Sequence, residues 1–433
     1  MIRYTFLFLV LLISFSQAQG FVQTNEEQIN EPSTKPIHGR VVWVEDPATH
    51  AIISWTTTLE GSSHQVYYDT VSHGGDIETY NFQERTAKDG KLTMEDSDLE
   101  ADVPESFYHH ASLSNLEPST RYYFVMSSDD EVSQEYYFIT APDDDRPFQL
   151  LWGGDSRLGQ GPPHKQRQHM NRKMAQLLED KPDILALAHG ADYCSRAEWR
   201  FLYHWFGDHE QTITSDGRML PVIPSRGNHD MHIGFEENFW IGDEGTLTDY
   251  YYTTQIGSQF ALITLNTEIS MTGNQRDWLE NELKEVSPVN QWVMAQYHRP
   301  GFAVAKDFDR TAHARVRQQW VPLFEEYNID LAGEADGHIL KRTLPIRNMK
   351  HDPTGVVYIG EGGLGVPQRK PNTDLWFVQE PGFVGNGHHV HLLGISKEGL
   401  QIRAIGIDNE ILDEHTLKPR KKESLKVLEA STR

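Results

Sequence analysis

The stretch Phe148–Arg157, FQLLWGGDSR, is mostly apolar as far as Trp152, breaks on two glycines and ends in a carboxylate followed by a cation. An apolar run that stops at glycine reads as a buried strand delivering a loop. The same pattern returns downstream in LALAHGAD (185–192), VIPSRGNHD (222–230), VMAQYHRP (293–300) and DLAGEADGH (330–338). Helical periodicity lies between these runs, at 166–178, 274–284 and 311–327. Strands alternating with helices predict an α/β domain of packed mixed sheets flanked by helices, over 147–412. Upstream the texture differs. VVWV, HAIISWTTT, HQVYYDT, FYHHASL, RYYFVMSS and EYYFIT are short runs of branched and aromatic residues separated by turn residues. They predict an all-β sandwich of about seven strands over 39–143. The acidic stretch MEDSDLEADVPE (94–105) reads as a solvated loop.

The ends add further expectations. Residues 1–18 carry Arg3, an apolar run Phe6–Phe15 and a small-x-small site at Ser16–Ala18, the pattern of a secretory signal peptide. Residues 19–38 read as a polar linker and 413–433 as a charged tail. A secreted or periplasmic protein without lipid anchor or membrane span is expected. Cys194 is the single cysteine, so no intrachain disulfide can form. The formal net charge of −24 argues against a nucleic-acid polymer as partner, because phosphate backbones demand basic surface. It permits a small phosphate ester held by metal.

The residues at the strand ends carry the chemistry. They are Asp155; Asp192; Asn228, His229 and Asp230; His298; and Asp336 with His338. One polar residue at a strand end is unremarkable. Five strand ends, each with a carboxylate, amide or imidazole, make an oxygen- and nitrogen-donor set suited to Zn, Mn or Fe. Ligands collect at the carboxyl ends of strands in such sheets. Arg157, Arg226 and Arg299 adjoin this set and suit bidentate contact with phosphate oxygens. His313, His388, His389 and His391 could also reach the cleft.

The ordered series Gly154-Asp155, Gly190–Asp192, Gly227–Asp230 and Tyr297–Pro300, with SWTT and HHASLSNLEPSTRYYFVM upstream, resembles the calcineurin-like metallophosphoesterases. The likeness is to their purple acid phosphatase branch, with its fibronectin type III-like N-terminal domain. It runs from about Gly39 to Leu412. It implies two divalent metal ions: Asp155 on one, Asp192 bridging, and Asn228 and His298 on the other. It also implies that His229 contacts the phosphate or leaving oxygen, with Asp230 orienting it. The implied activity is phosphoester hydrolysis, with a phosphomonoesterase favoured. A phosphodiesterase or nucleotidase, or a catalytically degenerate binding protein, stands as the alternative.

The sequence departs from the family pattern in three places. The family closes on Gly-His-x-His, whereas here Leu340 stands two residues after His338. One register pairs Gly337-His338 with the opening pair and makes Leu340 a lost ligand. The other counts from Asp330 and puts Asp336 and His338 at the two histidine positions, with Arg342 on the family's arginine. The second keeps the spacing on both sides and is preferred. The family's iron-binding tyrosine position holds Ser195, and Tyr193, directly after Asp192, is expected to point elsewhere. An aspartate-x-His at the first motif is excluded by Arg157.

Overall fold

The computed structural model describes residues 31–101, 103–157 and 165–420. Residues 1–18 lie outside this set.

Two large sheets organise the chain. The first has ten strands. In spatial order they are Ile411–Leu417, Leu400–Gly406, His389–Ile395, Phe148–Gly153, Ile184–His189, Val222–Pro224, Ile37–Val42, Ala51–Thr57, Phe107–Leu113 and Lys88–Lys91. Phe148–Gly153, Ile184–His189 and Val222–Pro224 run parallel. The helices Lys165–Asp180 and Trp199–His209 fill the two crossovers. The second sheet has seven strands, ordered Tyr252–Ile256, Phe260–Thr264, Trp292–Tyr297, Leu331–Glu334, Val357–Gly360, Leu340–Arg342 and Phe383–Gly385. Its central strands are also parallel. Mostly apolar strands such as ILALAH and WVMAQY, buried along their whole length, fit here because both faces are covered.

The two sheets press together at Trp152, which is fully buried. A side chain at Gly333 would put its Cβ 2.4 Å from the Trp152 ring, so only glycine lets the sheets approach this closely.

The N-terminal all-β region is a sandwich, with three differences from the expectation. It contains nine strands, because short ones at Phe82–Arg85, Lys88–Lys91 and Glu131–Val132 carry no apolar alternation. Its second sheet comprises Phe82–Arg85, His64–Asp69, Arg121–Ser128 and Glu131–Val132, with Tyr136–Ile139 beside Arg121–Ser128. Its first sheet is continuous with the α/β part, since Val42 pairs in parallel with Val222. The described end of the expected linker is pinned. Ser33 O accepts from Thr58 N and Leu59 N, and Ile37 already pairs with Thr56.

The acidic stretch is not a plain solvated loop. It forms the helix Asp96–Glu100, and fully buried Asp98 accepts from Arg200 N at 2.9 Å. At the other end Ile411–Leu417 is a strand paired with Leu400–Gly406. The ordered region therefore passes residue 412, and Arg342 is tied to Asp413 at 2.7 Å.

Candidate metal centre

Parallel strands in both sheets point their carboxyl ends at one place. Asp155 follows Phe148–Gly153, Asp192 follows Ile184–His189 and Asn228 follows Val222–Pro224. From the other sheet His298 follows Trp292–Tyr297 and Asp336 follows Leu331–Glu334. The chain turns sharply at these ends. Asp155, Ala191, Asp192, Asp336 and His338 all have left-handed backbone, with φ between 55° and 74°. Such conformations are costly for residues with a side chain and cluster where function needs a fixed geometry. Backbone bonds bind the turns to one another: Asp155 N to Ala191 O, and Ala335 N to His298 O. Gly227 makes room, because a Cβ there would lie 2.5 Å from Asp192 Oδ1.

The six residues expected to hold metal come together. Ligating atoms of Asp155, Asp192 and His298 lie within 4.8 Å of one another. His298 Nε2 is 3.2 Å from Asp192 Oδ1, 3.6 Å from Asp336 Oδ1 and 3.3 Å from Asn228 Oδ1. His338 Nε2 is 3.2 Å from Asp155 Oδ1. Leu340 lies buried in the strand Leu340–Arg342 while Asp336 faces His298, which is the arrangement of the preferred register.

The imidazoles are oriented by backbone carbonyls. His298 Nδ1 donates to Gly190 O at 3.1 Å, His338 Nδ1 to Pro367 O at 3.2 Å and His229 Nδ1 to Ser195 O at 2.5 Å. Each therefore turns Nε2 toward the carboxylates, as outer partners of metal-binding histidines commonly arrange. Burial disfavours charge on His298, but Asp192 and Asp336 overcome it and raise its pKa well above the usual histidine range. Burial likewise pushes Asp192 up, and the adjoining His298 outweighs it and holds the carboxyl below its ordinary value.

Buried Asp155 Oδ1, Asp192 Oδ2, Asp336 Oδ2 and His338 Nε2 have no hydrogen-bond partner. They have charged neighbours at 3.2–3.7 Å but no hydrogen bond, and a bound cation would satisfy such a cluster of buried donor atoms. The donor set of three carboxylates, two imidazoles and an amide fits Zn, Mn or Fe.

Other expected residues take different positions. The Asp230 carboxylate accepts from the backbone N–H groups of Asp192, Tyr193 and Gly227. It braces the loops and does not orient the His229 ring, whose partner is the Ser195 carbonyl. Arg226 is buried, donates to Asp230 O at 3.1 Å, pairs with Glu236 at 3.0 Å and lies over Phe235 and Tyr250. It is a loop clamp. Arg299 is held by Glu268 through two bonds of 2.8 and 2.9 Å, with its third nitrogen 3.7 Å from Asp336. Arg157 stays close, its Nε 3.6 Å from Asp192 Oδ2. His389 and His391 are buried strand residues, and His313 bonds Asp307 O, so none joins the cluster as drawn from sequence.

Two cations escaped sequence reading. Lys306 pairs with Asp336 Oδ1, and Arg369 donates to Asp336 O at 2.7 Å. Both sit on loops without periodic signal. Burial lowers the Lys306 pKa, partly offset by Asp336.

Tyr193 is fully buried. It stacks on His189 at 3.9 Å and packs against Trp205, Phe235 and Phe239. Burial pushes its phenol well above the usual range. A second grouping, His64, Asp89 and His109, lies in the N-terminal sandwich. Its two imidazoles stack at 3.8 Å with 26° between planes, so their in-plane lone pairs run side by side and do not converge on one ion.

Comparison with known proteins agrees with this architecture. Residues 36–140 match the model of the purple acid phosphatase N-terminal domain. Purple acid phosphatase 23 of Arabidopsis thaliana is 25% identical over 38% of this chain and 37% of its own. An uncharacterized protein of Mycobacterium tuberculosis is 25% identical over 40% of each. The chain thus spans about two fifths of the length of these curated relatives. Among solved structures, the purple acid phosphatase PPD1 from yellow lupin seeds superposes with a TM-score of 0.72 at 15% identity, over 89% of this chain and 74% of that one. PhoD gives 0.60 at 11% identity, over 90% of both. Residues 36–140 thus match a purple acid phosphatase N-terminal domain, and the chain shares the fold of the yellow lupin PPD1 and PhoD structures.

Proposed function

We propose that this chain is an exported, metal-dependent hydrolase of phosphate esters, acting on small phosphomonoesters. The observation that carries the reading is the convergence of Asp155, Asp192, Asn228, His298, Asp336 and His338, with buried donor atoms that make no hydrogen bond. In this reading Asp155 and His338 would hold one divalent ion and Asn228, His298 and Asp336 the other, with Asp192 placed to serve both. The pair would supply Lewis-acid polarisation of the phosphoryl group and a water activated at neutral pH.

The chain's own side chains do the rest. His229, fixed by Ser195 O, presents Nε2 on the same side as Asp192 Oδ2, 3.8 Å away, and is placed to give a proton to the leaving oxygen. Arg157 neutralises charge on the phosphoryl oxygens. Asp230 and Arg226 keep the 227–230 loop in position. Export is inferred from residues 1–18. Among the described residues no helix is long and apolar enough to cross a membrane.

The test is the metal content of purified protein, followed by turnover of p-nitrophenyl phosphate and of its bis-ester after loading with Mn, Zn or Fe. Tightly held metal with monoester turnover supports the reading. A metal-free, inactive protein replaces it with the degenerate binding protein.

A further inference from the structure

The buried donors form a floor, and a different set of side chains forms its rim. Side-chain exposure separates them. Asp155, Asp192, His298, Asp336 and His338 are at most 3% exposed, whereas Arg157 is 19%, Lys306 18% and His229 29% exposed. A phosphoryl group arriving from solvent meets the rim before the floor. Of the cations nearby, Arg226 is spent on Glu236 and Arg299 on Glu268. Arg369 is used on the carbonyl of Asp336. Arg157 stands by Asp192 and Lys306 by Asp336, so the two reach the cluster through different carboxylates.

Lys306 is not a loosely tethered surface lysine. Its loop is anchored two residues earlier, where Val304 N donates to Glu361 Oε1 at 2.9 Å and Val304 O accepts from Asn372 N at 2.9 Å. An ammonium with three rotatable donors can keep one on Asp336 and turn the others to a ligand.

We infer that Lys306 is a specificity-determining residue that binds a phosphoryl oxygen and selects the monoester dianion over the diester monoanion. This rests on the phosphoester-hydrolase reading above. The reason is charge. In a chain of net charge −24, with three carboxylates in the floor, the dianion gains most from a second rim cation beside Arg157. A diester has one negative charge fewer and loses less when that cation is removed.

The experiment uses the full, metal-loaded chain with Lys306→Met and Lys306→Arg. Titration calorimetry with inorganic phosphate is read alongside kcat/KM for p-nitrophenyl phosphate and bis(p-nitrophenyl) phosphate, with metal content measured on each protein. Lys306→Met is expected to weaken phosphate binding and lower monoester kcat/KM by about tenfold or more, the worth of a charge-assisted hydrogen bond. Diester kcat/KM is expected to move much less, metal content to stay constant and Lys306→Arg to restore part of the loss. Unchanged phosphate affinity, or equal losses on both esters, overturns the proposal. So does a Lys306→Met protein whose only change is greater metal uptake, since Lys306 would then compete with metal for Asp336. If wild-type protein neither binds phosphate nor hydrolyses either ester, the underlying reading falls as well. Wild-type turnover with an indifferent Lys306 variant overturns only this inference.

Discussion

At the scale of single residues, Asp192 has the most to lose. Its Oδ1 faces His298 and accepts from His229 N, while its Oδ2 faces Arg157 and His229. Asp192→Ala is expected to lower metal-dependent phosphomonoester turnover by roughly a hundredfold or more, since loss of outer partners of metal ligands already costs ten- to a hundredfold. Equal turnover and equal metal content in the variant would remove Asp192 from the bridging role. Tyr193 gives a second test. Its ring is locked among His189, Trp205, Phe235 and Phe239, and burial keeps its phenol protonated. Iron-loaded protein is therefore expected to show no tyrosinate-to-iron absorption band. A visible band that disappears in Tyr193→Phe would contradict this. Most candidate ligands were legible in the sequence because each ends an apolar strand, where position and residue type coincide. Roles set by side-chain direction were not. Asp230 and Arg226 sit in the same motif as Asn228 and His229, yet they turn away to hold backbone and Glu236.

At the scale of elements, the turn after Trp292–Tyr297 is held by a buried charge network that no spacing rule reveals. Lys341 Nζ reaches Glu334 at 2.5 Å, Glu361 at 2.9 Å and Phe302 O at 2.6 Å, and all three charged side chains are fully buried. Glu334 in turn accepts from Tyr297 OH and Gly301 N, so the network shapes the chain just beyond His298. The strand run DLAGEADGHILKRT shows its candidate ligands but hides this, because Glu334 and Lys341 meet only after the chain has turned. One ammonium between two carboxylates balances one negative charge. Burial, with Glu334 adding to it and Lys341 opposing, pushes the Glu361 pKa from 4.5 up to about 7. A carboxyl raised on folding gives its full stabilisation below the unfolded pKa and loses it as pH rises through the folded value. Wild-type protein is thus expected to lose on the order of 3 kcal/mol here between about pH 4.5 and 7. Glu361→Gln, which cannot ionise, is expected to show a flatter fall in thermal midpoint between pH 5 and pH 8. Parallel profiles for the two proteins would place the proton elsewhere.

At the scale of the whole molecule, composition separates a β region from an α/β region, but the hydrogen bonds do not. The change of texture at Phe148 is real in the sequence because sandwich strands and parallel strands need different patterns. What the pattern cannot report is which edge strand of one region finds the other. Val42 pairs with Val222, and Trp43 N donates to Val222 O at 2.9 Å. Tyr137 N donates to Gly217 O and Met219 N to Tyr137 O. Arg40 donates to Asn238 O at the end of the helix Ile233–Asn238, and His110 bonds Glu237 O at 3.0 Å. The sandwich thereby grips the chain on both sides of the 227–230 loop. One apolar core also runs through both regions, from Trp43 and Trp55 to Trp152, Trp292 and Ile402. Opening the sandwich alone would expose that apolar core to water and break the Val42–Val222 pairing and the bonds made by Tyr137, Arg40 and His110. We therefore expect the described body to unfold as one cooperative unit despite its size. Hydrogen exchange read by mass spectrometry checks this. Amides of Ala51–Thr57 in the sandwich and of Phe148–Gly153 in the α/β sheet are expected to share one opening free energy and one denaturant dependence. Earlier exchange of Ala51–Thr57, with Phe148–Gly153 still protected, would show that the sandwich opens by itself and that the Val42–Val222 pairing is a docking contact between two independent folds.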